Sequence, residues 1–211
     1  MIIFLLLAGI GITLVLAARQ SGSQSETPPE APDPQTAAEQ ALQTFDEIVT
    51  QENYQALGFR TPEEVETAEL GQPLTVLRVP LDRLQSYSTD RNPEELLVDE
   101  RRIIYPITVD KEVRSSIAVE GSDQHWKATD FGSPKLIRSL AQFQQKPSDF
   151  IVQIPAFNLY FIARRSDNIL FLTPIVDDMR FGFISGETLT ATAAFETIAP
   201  YARDFNGLPG G

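Results

Sequence analysis

The chain has 211 residues, no cysteine, one histidine and a formal net charge of −12. The missing cysteines exclude disulfides, thiol catalysis and a lipid-modified cysteine, and a lone histidine excludes a zinc centre built on several. The acidic balance excludes the basic footprint that nucleic acid demands, so no nucleic-acid partner is expected. The charge is uneven: residues 26–70 hold eleven Asp and Glu against Arg60, whereas 71–211 hold eighteen acidic and fifteen basic residues.

Residues 2–18, IIFLLLAGIGITLVLAA, carry no charge. As a helix rising 1.5 Å per residue this run reaches about 25 Å, the lower limit for crossing a bilayer core. Two readings stay open. One is a retained signal-anchor over residues 1–18. The other is a signal peptide cleaved after Val15-Leu16-Ala17 or Ser21-Gly22-Ser23. Arg19, directly after the run, favours a cytoplasmic C-terminal side. The expectation is nonetheless a main domain outside the cytoplasm, anchored through residues 2–18, or secreted or periplasmic if the segment is cleaved. Residues 19–35, RQSGSQSETPPEAPDPQ, have the composition of an extended, mobile linker.

The globular domain is expected over residues 36–205, with 206–211 as a flexible tail. Thr36 and Glu39 match a capping box, and Ala41, Leu42, Phe45, Ile48 and Val49 follow on one helical face. Gly58 reads as a stop signal beyond that helix. A short helix follows, with Thr61 as cap, Pro62 first and Glu64 third, ended by Gly71. Strands are expected at 74–79, 102–109, 113–119 and 124–131, the last three as an antiparallel meander. Ser133-Pro134 starts a helix with Leu136, Ile137, Leu140 and Phe143 in phase. Further strands are expected at 150–154, 157–163 and 168–176, with a turn at 165–167. Their apolar runs predict cover on both faces. Thr190 caps a last helix, in which Pro200 is a kink or a stop.

The fold class is therefore α+β, with helices packed on a mainly antiparallel sheet. One internal pattern recurs. Val76 to Pro80 is like Val152 to Pro155, and Ile103 to Asp110 is like Leu172 to Asp177. Two related half-units, 74–146 and 150–205, or coincidence would each produce it. Pro174 lies in an otherwise central-looking strand, which predicts a bulge or a break there.

The chemistry-bearing residues form no catalytic signature. His125 follows a turn and has no nucleophile elbow to serve. Asp177-Asp178 meets the minimal demand of a carboxylate pair, as any acidic surface turn does. Trp126, the only tryptophan, suits hairpin packing or a stacking site. Arg101-Arg102 and Arg164-Arg165 each abut a strand and suit turn solvation or anion binding. No cofactor or metal motif is present, and no catalytic, cofactor-binding or metal residue is assigned. The expected function is a membrane-tethered, non-catalytic domain that binds or helps assemble other proteins. The alternatives are an envelope hydrolase using Asp and Glu, and a carrier of a small apolar ligand.

Overall fold

The computed structural model describes residues 33–122 and 125–205. The expected anchor at 2–18, nearly all of the linker and the 206–211 tail lie outside the described residues. Among the described residues no helix is long and apolar enough to cross a membrane.

The chain folds as α+β around one large mixed sheet. Helix α1 is Pro34–Ile48 and strand β1 is Glu69–Leu70. Then come β2 (Leu74–Arg78), α2 (Leu81–Gln85), β3 (Val98–Val109), β4 (Glu112–Gly121) and β5 (Trp126–Phe131). Helix α3 (Pro134–Phe143) leads into β6 (Phe150–Ile154), β7 (Leu159–Ser166), β8 (Ile169–Pro174), β9 (Leu189–Thr190) and α4 (Ala191–Asp204). The strand order is β5-β4-β3-β2-β6-β7-β8-β9, with β1 beside β3. Every pairing of named strands is antiparallel except that of β2 with β6, where Val76 meets Ile151 and Leu77 meets Val152. A parallel pair needs a long crossover, and the β3–β5 meander with α3 provides it.

Both faces of the sheet are covered, as the apolar runs predict. Side chains alternate across a strand, so Ile151 and Ile162 join the core under α3 while Val152, Phe161 and Ala163 join the core under α4. On the first half of the sheet, Tyr105, Ile107, Ile117 and Val119 turn away from α3 and pack on α1. Helices α1 and α4 therefore share one face and, among the described residues, α3 is the helix on the other.

Local chemistry accounts for most elements. Ser133-Pro134 and Thr190 start α3 and α4 as expected, and the Thr190 hydroxyl accepts from the Ala193 amide at 3.2 Å. Pro200 lies inside α4 without ending it. Asp110-Lys111 and Asp167-Asn168 make two-residue hairpin turns with positive φ at all four positions. The second turn thus sits later than the expected 165–167. Strand β8 ends at Pro174, the expected break.

Several expectations need correction. Helix α1 starts at Pro34, capped by Asp33 rather than Thr36, because the Asp33 carboxylate accepts from the Thr36 amide at 2.9 Å. It ends at Ile48, so Gly58 closes a later turn instead. The Thr61 segment is a 3-10 helix, Pro62–Thr67, with no side-chain cap; Leu70 leaves it for β1. Residues 157–158 belong to a 3-10 turn before β7. Helix α2 and the 3-10 turn Pro93–Leu96 were not foreseen, yet they bury Leu84, Tyr87 and Leu96. Finally, Pro106 lies on β3 and Pro174 on β8. Strand β3 is the neighbour of β2 while β8 is one strand removed from β6, so the likeness between those two runs does not follow the strand order.

Candidate functional site

Helix α3 has ten residues and lies on a much wider sheet. It leaves a cleft on either side. The first, of about 250 Å³, lies over β2–β4, between Ile104, Ala118 and the α3 residues Leu136 and Leu140. Its cation, Arg102, is matched by Glu120 at 2.8 Å and Asp130 at 3.7 Å. Gln153 donates to the Tyr160 hydroxyl at 2.8 Å on the same wall. Asp130 is the sole carboxylate lining this cleft.

The second cleft, of about 310 Å³, lies over β7, β8 and the start of β9. Ile162 and Phe171 form its floor and Phe143 its wall. Gly186, at φ +81°, lets the β8–β9 loop approach the Phe143 ring, which an added Cβ would meet at 2.9 Å. The Thr173 and Thr188 hydroxyls bond to each other at 2.8 Å. The charged residues lining this cleft are Lys146 and Arg164, both basic.

Arg164 is held from beneath. Asp149, the last residue of the loop into β6, has a fully buried carboxylate that accepts from Arg164 Nε at 2.9 Å and Nη2 at 2.8 Å. It also accepts from the Gln145 and Lys146 amides at 2.8 and 2.9 Å. Burial pushes this carboxyl up, and the guanidinium and two amides outweigh it, so its pKa lies below the ordinary value.

The loop from Ile175 to Thr188 borders the second cleft. It braces itself. Asp178 and Phe183 exchange backbone hydrogen bonds, and Asp177 accepts from the Ser185 amide at 2.7 Å. Asp178 accepts from Arg180 through both oxygens, and this pairing holds its pKa below the ordinary value. Phe181 and Phe183 turn into the core beside Phe157 and Phe161. With those rings inside, Val176 (53 % exposed), Met179 (91 %) and Ile184 (60 %) stand in solvent.

The residues singled out in sequence are not brought together. His125 is exposed beside the β4–β5 turn, where its carbonyl accepts from the Ser122 amide at 2.8 Å. Trp126 packs on the α1 core with the Arg101 guanidinium 5.1 Å from its ring centroid. Each arginine pair is divided by strand alternation or its own turn. Arg101 has φ 55° and donates to the Ser122 carbonyl, while Arg102 enters the first cleft. Arg164 lines the second cleft, while Arg165 reaches Glu94 at 3.0 Å and stacks 4.4 Å from the Phe150 ring centroid. Sequence reading missed Met179, Ile184, Lys146 and Phe171. The run of apolar residues across 175–184 was a signal, but only the fold shows which of them turn inward.

The described residues thus define an α+β protein with a nine-stranded mixed sheet and open clefts beside α3. Comparison with protein-family models, with curated proteins and with solved structures gives no match for this chain.

Proposed function

We propose that this protein is a membrane-tethered domain outside the cytoplasm that binds or helps to assemble other proteins, without catalysing a reaction. The supporting observation is the loop 175–188. Apolar side chains on a mobile loop can fold back on the protein, but this loop is fixed by its own hydrogen bonds and by Phe181 and Phe183. Keeping Val176, Met179 and Ile184 in water on a fixed loop costs free energy, and large apolar side chains held out in this way suit a protein contact. Asp177 and Arg180 are exposed charged residues of the same loop.

The alternatives have less support. A carboxylate hydrolase needs two acids converging in a cleft, one with a raised pKa. Asp130 stands without a second acid in the first cleft, and Asp177 and Asp178 serve the loop. An apolar carrier needs an enclosed pocket, and both clefts beside α3 are open and part polar.

The test is fractionation of the native protein, followed by native electrophoresis of gently solubilised membranes. The expected result is a membrane-bound chain with an intact N-terminal segment, running in a discrete complex larger than itself. Deleting residues 2–18 should move it to the soluble fraction. A chain that runs as a free monomer overturns the reading.

A further inference from the structure

Apart from the short helix α2 after β2, the chain repeats one order of elements: four strands and a helix from β2 to α3, then four strands and a helix from β6 to α4. In the sheet the two sets are mirrored in order about the parallel β2–β6 pair. Two parallel central strands with reversed flanking orders are related by a two-fold axis running along the strands. Such an axis exchanges the two faces. The helices obey it: α3 packs on β4 from one face, and α4 packs on β8 from the other.

Helix α1 has no counterpart among the described residues. It lies over β4 and β5 on the α4 face. The equivalent place is over β8 and β9 on the α3 face, and that is the second cleft, with Phe171, Thr173 and Thr188 on its floor and rim. Ile169, on the same face of β8 as Phe171, is 46 % exposed there. The first half of the sheet receives a helix at this position from its own chain; among the described residues the second half does not.

We propose that the second cleft is the seat of an acidic amphipathic helix from a partner protein. This rests on the protein-binding reading above and names its surface. Helix α1 shows what such a position takes. Its buried face is Ala37, Ala38, Ala41 and Phe45, small residues that let the backbone approach the sheet and one ring to anchor it. Its outer positions carry Glu39, Asp46 and Glu47 and no base. Charge agrees. In a chain of net charge −12, this cleft is lined by Lys146 and Arg164 and by no carboxylate. Arg164 is balanced by buried Asp149, whereas Lys146 is exposed and enters no ion pair among the described residues. Lys146 is therefore the free cation that selects an acidic helix over a basic one.

The experiment uses the full chain in detergent and a defined probe. The probe is a synthetic peptide of residues 33–49, acetylated, amidated and held helical by a staple between positions 40 and 44. NMR of the labelled protein is expected to show saturable shifts at Ile162, Phe171, Thr173, Thr188 and Lys146. Lys146→Glu should weaken binding about threefold, as loss of one exposed ion pair does. Thr188→Trp, at an exposed position, should fill the cleft and abolish binding with the spectrum otherwise intact. A probe with Glu39, Asp46 and Glu47 replaced by Lys should bind less well. Shifts confined to β4 and β5 would mean that the probe merely displaces α1, and would overturn the proposal. So would the absence of saturable shifts, or a homodimer joined through this cleft. Each of these outcomes leaves the membrane complex of the preceding test unaffected, so the two readings fail separately.

Discussion

Arg114 and Arg164 are the side chains that bind distant segments to the sheet, and each does so through a carboxylate it shields from water. Arg114 lies on β4 with only 6 % of its side chain exposed, and donates to Glu64 at 3.2 Å and to Glu112 at 2.6 Å. Glu64 also accepts from the Arg60 amide at 2.7 Å, so one carboxylate fixes the 3-10 helix to the strand. Arg114→Ala leaves Glu64 part-buried without its cation. It should cost about 2–3 kcal/mol, read as a lower midpoint in urea unfolding. Asp149 gives the molecule a pH dependence. Its folded pKa lies below the ordinary value of 3.8. The unfolded chain therefore takes up the proton first as pH falls. The stability it contributes is complete above about pH 4 and is lost as pH drops through the lower folded value. Asp149→Asn should be less stable than the parent at pH 7, and the gap should narrow below pH 4. A gap unchanged down to pH 2 would contradict the assignment.

At the scale of elements, Gly58 shows how tightly the segment before β1 is laid down. It has φ +99°, and a Cβ there would fall on the Arg114 carbonyl oxygen and on Pro134. Gly58→Ala should therefore cost about 2 kcal/mol or more, from backbone strain and from the clash, measured by thermal unfolding. The loop 175–188 should behave oppositely. Replacing Met179, which is 91 % exposed, by Ser removes almost no buried surface, so stability should stay within about 0.5 kcal/mol while partner binding is weakened.

The elements also show what could be read in the sequence. Helices α3 and α4 were legible because Pro134 and Thr190 mark their starts and a full apolar face follows. Strand β6 was legible from an apolar run interrupted only by Gln153. The start of helix α1 was misplaced by three residues: the Thr36–Glu39 spacing imitates a capping box, while Asp33-Pro34 carries the stronger local signal. Helix α2 escaped because five residues with one buried leucine have no period to detect. The clefts were not legible at all. They depend on which face each strand presents, and that follows from the β2–β6 pairing between residues some seventy positions apart.

For the whole molecule, that same pairing makes the two halves one cooperative body. The core under α3 joins Leu74, Val76 and Ile104 to Ile151, Ile162 and Ile175. The core under α4 draws Val79, Leu84, Tyr87 and Leu96 from the first half. Neither half can close its core alone, so unfolding should be a single transition. Trp126 fluorescence, which reports the first half, should coincide with far-ultraviolet circular dichroism; two separated midpoints would contradict this.

The proposed contact sets a partner against the loop and cleft of the second half. The most direct measurement places a photoreactive phenylalanine at position 179 of the full chain in its native cells, with Lys127 on the outer strand β5 as the control position. Irradiation should give one dominant adduct with a defined protein from position 179 and none from position 127. No adduct at 179, or the same adducts from both positions, would contradict the claim.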